Sequence, residues 1–148
     1  MAEIHAFQKI LSHQERLKKN AQMEYKQSVD QFETVATTLY QLLRKKEEVQ
    51  AQYNYYLEST GTVTTLATHH AYIDGIKSKI KHIQAQVDQA RTQMELKQDN
   101  LTAAHVEVKK IEKIVETKQL NKKNSILYKE SKQLDETSMR QFLKNEIR

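Results

Sequence analysis

Apolar side chains recur at alternating steps of three and four residues for more than fifty positions on each side of one glycine, Gly61. The chain has no proline, so no residue in either half forces a helix to break. A period of 3.5 residues over this many heptads specifies helices that wind left-handedly around a partner helix. We call the positions in this pattern the seam. Before Gly61, twelve of sixteen seam positions are apolar or tyrosine: Ile4, Phe7, Leu11, Gln14, Lys18, Ala21, Tyr25, Ser28, Phe32, Val35, Leu39, Leu42, Lys46, Val49, Tyr53 and Tyr56. After it, thirteen of sixteen are apolar: Leu66, His69, Ile73, Ile76, Ile80, Ile83, Val87, Ala90, Met94, Lys97, Leu101, Ala104, Val108, Ile111, Val115 and Lys118.

Two such helices with one short break between them are predicted to close on each other as an antiparallel hairpin. The fold class is therefore all-α, a long two-helix antiparallel coiled-coil hairpin that forms a single elongated domain. The sequence predicts helix one over about 3–57, a turn over 58–64, helix two over about 65–118 and a basic C-terminal tail over 119–148. The first helix alone would span roughly 80 Å at about 1.5 Å per residue.

The turn and the register follow from the same pattern. Gly61 is predicted to adopt the left-handed conformation past the end of helix one, and Thr62 or Thr64 to cap the start of helix two. If Tyr56 faces Leu66, opposed residue numbers add to about 122.

A second glycine, Gly75, lies inside helix two, where it costs roughly 1 kcal/mol relative to alanine. It either permits the close approach of another chain or is a tolerated weak position.

The tail has no partner inside such a hairpin, because helix one is exhausted opposite Lys118. Leu120, Leu127 and Leu134 recur every seven residues but are displaced from the phase of the seam. The tail is a continuing helix, a helix only against a partner, or a frayed segment. Isolated helices are marginal in water, so order against a partner is the favoured alternative.

The charge of the chain is concentrated near its C-terminus. The formal net charge is +5, and from Lys109 to Arg148 eleven Lys or Arg stand against six Asp or Glu. Such an end suits an acidic protein surface, lipid headgroups or phosphate, although interleaved charges are also typical of a solvated helix face. The chain has no run of eighteen apolar residues, so no membrane span is predicted. The first eleven residues also lack the apolar block of a secretory signal. We therefore expect a cytosolic protein.

The residues for catalysis or cofactor binding are not arranged as those functions require. The glycines do not form a phosphate-binding loop, and no two of the six histidines stand at i,i+4 on one helix face. The chain has no cysteine. A two-helix structure also offers no dry cleft to organise a catalytic group. We expect no enzyme activity, no cofactor and no metal site.

Two surfaces are candidates for partner binding. Five of the seven tyrosines cluster around the turn, and several large side chains there fall outside the seam, where a two-helix hairpin cannot bury them: Tyr40, Leu43, Tyr55, Leu57 and Tyr72. Exposed aromatics in one place are typical of protein interfaces, although long helices also carry scattered tyrosines and the hairpin could pair with its own copy. The second candidate is the basic end that contains Lys109, Lys110 and Lys113.

Several stretches resemble the FliJ family, small coiled-coil proteins of bacterial flagellar export, in the form found in Bacillus-type relatives. The order and spacing of these stretches fit over nearly the whole chain, including a glycine turn near position 60. Short pieces of this kind are common in coiled coils, and the ordered set is the specific feature. The matching stretches are Phe7-Gln8-Lys9-Ile10-Leu11, Glu24-Tyr25, Val29, Phe32-Glu33, Leu39-Tyr40-Gln41-Leu42-Leu43-Arg44-Lys45-Lys46-Glu47, Gln98-x-x-Leu101, Glu107-Val108-Lys109-Lys110-Ile111-Glu112-Lys113, Leu134-Asp135-Glu136, Ser138 and Phe142.

The resemblance implies a fold similar to the coiled coil of the rotary ATPase γ subunit. It also implies association with the hexameric export ATPase FliI and with the export gate FlhA, with FliH and export chaperones as further partners. The protein would then lie on the cytoplasmic face of the inner membrane at the flagellar base, without a membrane span. The surface toward the gate is expected near the turn, at Tyr40, Leu42, Leu43, Tyr55, Tyr72 and Ile76. The surface toward the ATPase ring is expected at Phe7, Leu11, Lys109, Lys110, Lys113 and Phe142.

The predicted function is thus a stalk that couples the ATPase ring to the gate and cycles export chaperones. Three alternatives remain open at this point. The first is the related stalk protein of virulence-type secretion systems. The second is a basic coiled coil that binds nucleic acid or anionic membrane, although the resemblance predicts no nucleic-acid partner. The third is a structural homodimeric bundle.

Overall fold

The computed structural model of the protein describes residues 2–59 and 61–147, residue 147 by its backbone alone. Helix α1 runs over Ala2–Glu58 and helix α2 over Val63–Ile147. The two helices pack against each other as a helical hairpin, and the described residues contain no strand. The predicted fold class is confirmed. Thr60 in the predicted turn and Arg148 at the end of the predicted tail lie outside the described residues.

The chain divides into two compact units, each built from both helices. The turn unit comprises, among the described residues, 19–59 and 61–102. The terminal unit comprises, among the described residues, 2–18 of α1 and 103–147 of α2.

The core of the turn unit is a narrow row of β-branched side chains. Val49, Ile73, Ile76 and Ile80 form a buried cluster, each 3–7% exposed. The side chains of Leu39, Leu42 and Tyr53 pack against this cluster. All seven are seam positions, so the 3.5-residue period correctly identified which side of each helix is buried. Burying a side chain of this size stabilises a fold by roughly 1.5–3 kcal/mol.

One polar residue, Ser28, occupies a buried seam position of the turn unit at 5% exposure. Its hydroxyl donates a hydrogen bond to the Tyr25 carbonyl at 2.6 Å. Because this bond lies within α1, the hydroxyl is satisfied without help from α2. The seam therefore accepts a serine here without a buried unpaired polar group.

The terminal unit has its own buried seam residues, Val108 and Val115. The Lys118 ammonium lies 2.6 Å from the Glu3 carboxylate and 5.1 Å from the centre of the Phe7 ring. The first turns of α1 are thus held against α2 by an ion pair and a cation–π contact.

Cross-helix contacts report the register of the hairpin. The Lys97 ammonium lies 3.2 Å from the Glu24 carboxylate, and the Arg91 guanidinium lies 5.8 Å from the centre of the Phe32 ring. The residue numbers of these two pairs add to 121 and 123, close to the expected 122. The helices are antiparallel, as the seam predicts.

Gly61 does not adopt the predicted left-handed conformation, because no glycine among the described residues has a positive φ. That prediction is wrong, and the reason for glycine here is close approach. A Cβ on Gly61 would lie 2.8 Å from the Tyr56 carbonyl oxygen, to which the Gly61 amide donates a hydrogen bond at 3.0 Å. The capping prediction is confirmed for Thr62, whose hydroxyl accepts a hydrogen bond from the Thr65 amide at 3.1 Å.

The tail continues α2 without interruption as far as Ile147. The favoured expectation, order only against a partner, is not what the single chain adopts. Residues 119–147 contain no glycine or proline that would end the helix. Every side chain from 119 to 146 is exposed.

Neither helix, over its described residues, combines the length and the hydropathy that a membrane span needs.

Candidate partner-binding surfaces

The seam divides the surface of the turn unit into two flanks. With Ile4 and Leu66 taken as position a of a heptad, seam residues are a and d, while e and g positions lie on opposite sides of the seam. The e flank includes Arg91 at e, whose guanidinium lies over the Phe32 ring. The g flank carries a groove of about 490 Å³. Among its lining residues are three glutamines at g positions: Gln31, Gln86 and Gln93.

Two residues of the predicted gate surface lie together on the e flank. Tyr40 is 64% exposed, and Leu43, one turn further along α1, is 38% exposed. Residues three apart on a helix are neighbours on its surface. Tyr40 and Leu43 therefore form one exposed aromatic and apolar patch.

Two others belong to the opposite, g flank. Tyr55, at position c beside the g column of α1, is 68% exposed, and Tyr72, at g of α2, is 51% exposed. The Tyr55 ring meets the Tyr56 ring edge to face, with centres 5.8 Å apart. The structure thus separates the predicted aromatic cluster into two patches on opposite sides of the seam.

The remaining two residues of this set are part of the hairpin core. Ile76 is 4% exposed and belongs to the buried cluster, against which the half-buried Leu42 packs. In the closed hairpin the Ile76 side chain is covered, so it can influence a partner only by supporting its neighbours. Leu42 offers a partner only its exposed edge.

In the terminal unit, Phe7 and Leu11 are half-buried in the seam. The Phe7 ring is also partly occupied by the ammonium of Lys118. These two residues hold the hairpin together, and only part of each side chain is open to a partner.

The basic run of the terminal unit is partly neutralised within its own helix. Lys109 pairs with Glu112, and Lys110 pairs with Glu107, each with a nitrogen–oxygen distance of 3.2 Å. Lys113, at an outward-facing f position, is exposed. Exposed pairs of this kind contribute little to stability. They do reduce the field that the run presents to an acidic partner.

Phe142 is not brought near the other predicted ring-facing residues. It is 64% exposed and lies twenty-four residues past Lys118 on the same helix, about 36 Å at 1.5 Å per residue. The predicted ring surface therefore comprises two places in the terminal unit, one at the hairpin and one far along the tail.

Sequence reasoning missed an apolar patch on the g side of the terminal unit. Ile10 and Leu17 are both g positions and are 42% and 43% exposed. Ile114, a g position of α2, is 37% exposed. The seven-residue spacing of Ile10 and Leu17 could have revealed this second apolar column beside the seam.

One carboxylate in this region has a shifted pKa. The hydrogen bond from Lys118, and then the positive charge of Lys118, lower the pKa of Glu3 from its usual 4.5. The lowered pKa favours the charged carboxylate, and with it the ion pair between Glu3 and Lys118. Among the residues described, no three or more acidic or histidine side chains are grouped as ligands for a metal ion.

Comparison with known proteins gives two matches. A sequence model of the family described as "Flagellar FliJ protein" matches residues 3–146. A curated protein of Bacillus subtilis (strain 168), named "Flagellar FliJ protein", is 34% identical over 143 residues, which cover 97% of each chain. Comparison with solved structures found no match.

Proposed function

The chain belongs to the FliJ family of flagellar proteins, and from that premise we propose that it couples the export ATPase to the export gate. The family is a non-enzymatic component of flagellar protein export. The observation that carries the proposal is the family match over nearly the whole chain, both helices included. Each unit also offers its own exposed surface, so two partners can bind without competing for one site.

The terminal unit is the proposed contact of the ATPase FliI. Its candidates are the exposed parts of Phe7 and Leu11, the basic residues Lys109, Lys110 and Lys113, and Phe142 in the tail. The turn unit is the proposed contact of the gate FlhA. Export chaperones and FliH are further proposed partners, and these contacts would hold the protein at the cytoplasmic face of the inner membrane at the flagellar base. Coupling requires no active site in this chain, and we propose that it has none.

On the gate surface we assign the central role to Tyr72, with Tyr55 on the same g flank. Half-exposed tyrosines are frequent energetic centres of protein interfaces, because they offer a large rigid area with a polar tip. Ile76 lies one turn after Tyr72 on α2 and fixes that turn against α1. Its expected contribution to gate binding is therefore indirect.

Tyr72→Ala tests the gate surface, with Tyr40→Ala as the matched control on the e flank. Calorimetric titration with the soluble part of FlhA should show about tenfold weaker binding for Tyr72→Ala, because losing a hot-spot aromatic removes more than about 1 kcal/mol. Tyr40→Ala should change the affinity less. The reverse order would move the gate surface to the e flank, and no binding by the unmodified protein would remove the gate from the proposal.

The ATPase surface is tested by ring assembly and ATP hydrolysis with and without the protein. We expect the protein to promote ring formation or to change the rate of hydrolysis; no effect on either would contradict coupling. Truncation after Lys118 should weaken binding to FliI more than binding to FlhA. The opposite result would exchange the two ends.

A further inference from the structure

The terminal unit contains fewer buried side chains than the turn unit. Among the described residues, its buried side chains are those of Val108 and Val115, both on α2. The turn unit buries one serine and five aliphatic side chains: Ser28, Val49, Ile73, Ile76, Ile80 and Val87. Because burial of apolar surface is the main favourable contribution to folding, the terminal unit is held closed more weakly than the turn unit.

The part of α1 that belongs to the terminal unit is attached by only a few apolar side chains. No side chain from 2 to 18 is buried. The ion pair of Glu3 with Lys118 joins side chains that are 70% and 29% exposed, and exposed ion pairs add little stability. The five seam positions of this segment are half-buried, and the last two are polar: Ile4, Phe7, Leu11, Gln14 and Lys18.

The seam stays weak at the start of the turn unit. On α2, no side chain between Val87 and Val108 is buried. Weak seam positions of α1 run from Gln14 to Ser28, and the division between the units at residues 18 and 19 falls inside that stretch. The first three seam positions of the turn unit on α1 include no aliphatic side chain larger than alanine: Ala21, Tyr25 and Ser28.

Release of residues 2–18 does not require α2 to unfold. In the tail, α2 remains helical as far as Ile147, although every side chain from 119 to 146 is exposed. The helix of α2 therefore persists where no other helix covers it. Opening the terminal unit costs the contacts of residues 2–18 and leaves α2 helical.

We propose that residues 2–18 form a strap that detaches from α2 while the turn unit stays closed. The terminal unit then has an open form, in which Val108 and Val115 are uncovered and the isoleucine cluster of the turn unit remains buried. Such local opening requires less free energy than unfolding of the whole chain. The opening is a property of the chain alone, so it does not depend on the partners proposed above.

Single cysteines in the seam of α2 measure the opening of each unit separately. The chain has no cysteine of its own, so an introduced thiol is the only one that reacts. Val115→Cys reports on the terminal unit and Val87→Cys on the turn unit. The two valines share heptad position a of the same helix and are 7% and 6% exposed. A buried thiol reacts with DTNB only when its surroundings open, so its labelling rate, divided by the rate in the unfolded chain, gives the fraction of open molecules.

The terminal unit should be open more often than the turn unit. We expect the open fraction at Val115→Cys to exceed that at Val87→Cys by at least about tenfold. Labelling of Val115→Cys should accelerate only slightly with urea, because local opening exposes little surface. Labelling of Val87→Cys should follow the urea dependence of global unfolding measured by circular dichroism. Val108→Cys is a second reporter of the terminal unit and should repeat the result of Val115→Cys, which keeps the test valid if one variant fails to fold.

A pair of substitutions within the strap tests whether its attachment controls the opening. Gln14→Leu adds an apolar side chain at a half-buried seam position, whereas Gln8→Leu adds the same side chain at an exposed e position. In the Val115→Cys chain, Gln14→Leu should lower the open fraction about tenfold, as expected for one leucine that becomes buried. Gln8→Leu should lower it less than about twofold. Neither substitution should change the labelling of Val87→Cys.

Three results would overturn the proposal. Equal open fractions and equal urea dependences at Val87 and Val115 would mean that the hairpin opens as one unit. A larger open fraction at Val87 would place the easier opening in the turn unit. Labelling of Val115→Cys that does not respond to Gln14→Leu would mean that the terminal unit opens without release of residues 2–18.

Discussion

The carboxylate of Glu3 accepts a hydrogen bond from the ammonium of Lys118 at 2.6 Å, although 115 positions separate the two residues in the sequence. The pair joins the first turn of α1 to the place where the seam of α2 ends. Lys118 also lies over the Phe7 ring, so one lysine makes two contacts with α1. The packing of the first turns of α1 against α2 therefore depends on Lys118, and the ion pair can be tested from its other partner, Glu3.

Glu3→Gln should reduce the acid sensitivity of the terminal unit. The pKa of Glu3 is lowered in the folded protein, mainly by the hydrogen bond and then by the charge of Lys118. A carboxylate with a lowered pKa adds stability above its unfolded pKa, near 4.5, and loses it as the pH falls through the lower folded value. Thermal melts should show the unmodified protein slightly more stable than Glu3→Gln at pH 7, with a smaller difference at pH 3, below the usual pKa of 4.5. A constant difference at both pH values would exclude the ion pair as its cause.

Substitutions at Ile76 should show that its role is in packing. Because Ile76 is 4% exposed within the buried cluster, Ile76→Val should destabilise the protein by about 1 kcal/mol and Ile76→Ala by about 3 kcal/mol. Urea denaturation followed by circular dichroism measures both. Tyr72→Ala, at a half-exposed position four residues earlier, is the control and should have a much smaller effect on stability. An Ile76→Ala protein of unchanged stability would mean that the seam is open there.

Substitution by alanine should change the stability of the protein in opposite directions at the two glycines. At Gly61 the new Cβ would lie 2.8 Å from the Tyr56 carbonyl oxygen, so Gly61→Ala should destabilise the protein by about 1–2 kcal/mol. At Gly75 a Cβ meets nothing within 4 Å, so Gly75→Ala should stabilise α2 by about 0.5–1 kcal/mol through its helix propensity. Denaturant midpoints of both variants against the unmodified chain provide the comparison. Destabilisation by Gly75→Ala would contradict the open surroundings of that position.

Removing the N-cap residue of α2 should lower the stability of the protein, and a neighbouring threonine provides the control. The Thr62 hydroxyl accepts the Thr65 amide at 3.1 Å, so Thr62→Ala should lower stability by about 1 kcal/mol. Thr64→Ala, two residues later inside the helix, is the control and should be neutral or slightly stabilising. Equal losses in the two variants would show that the Thr62 hydroxyl is not the cap.

The fold was predictable because the seam is a strong and repeated signal. The cross-helix pairs Glu24–Lys97 and Phe32–Arg91 reproduce the register that the apolar period implies. The conformation of Gly61 was not predictable, since a glycine required by close approach and one required by a left-handed backbone look alike in sequence. The continuity of the tail was missed for another reason: isolated helices are marginal, and that argument outweighed the absence of any residue that would end the helix.

The candidate surfaces were predictable only in part. Sequence spacing showed that Tyr40 and Tyr72 lie outside the seam, which their exposure confirms. Their opposite flanks follow from their heptad positions in an antiparallel pair, b for Tyr40 and g for Tyr72, which the clustering of tyrosines around the turn did not consider. Ile76 shows the limit of a site carried over from a family resemblance, since the side chain contributes to the core of the hairpin.

The thinness of the core has a consequence for how the hairpin opens. Among the described residues no large side chain is fully buried, and the most protected ones, such as Ile73 and Val108, keep 3% of their surface accessible. Each layer of side chains then relies mainly on the layers immediately before and after it, as in a zipper. Amide hydrogens should accordingly exchange with solvent in graded steps, faster toward the helix ends and slowest beside the isoleucines of α2, and not in one cooperative event. A protein built in this way can release a few layers at one end to a partner and keep the remaining layers closed.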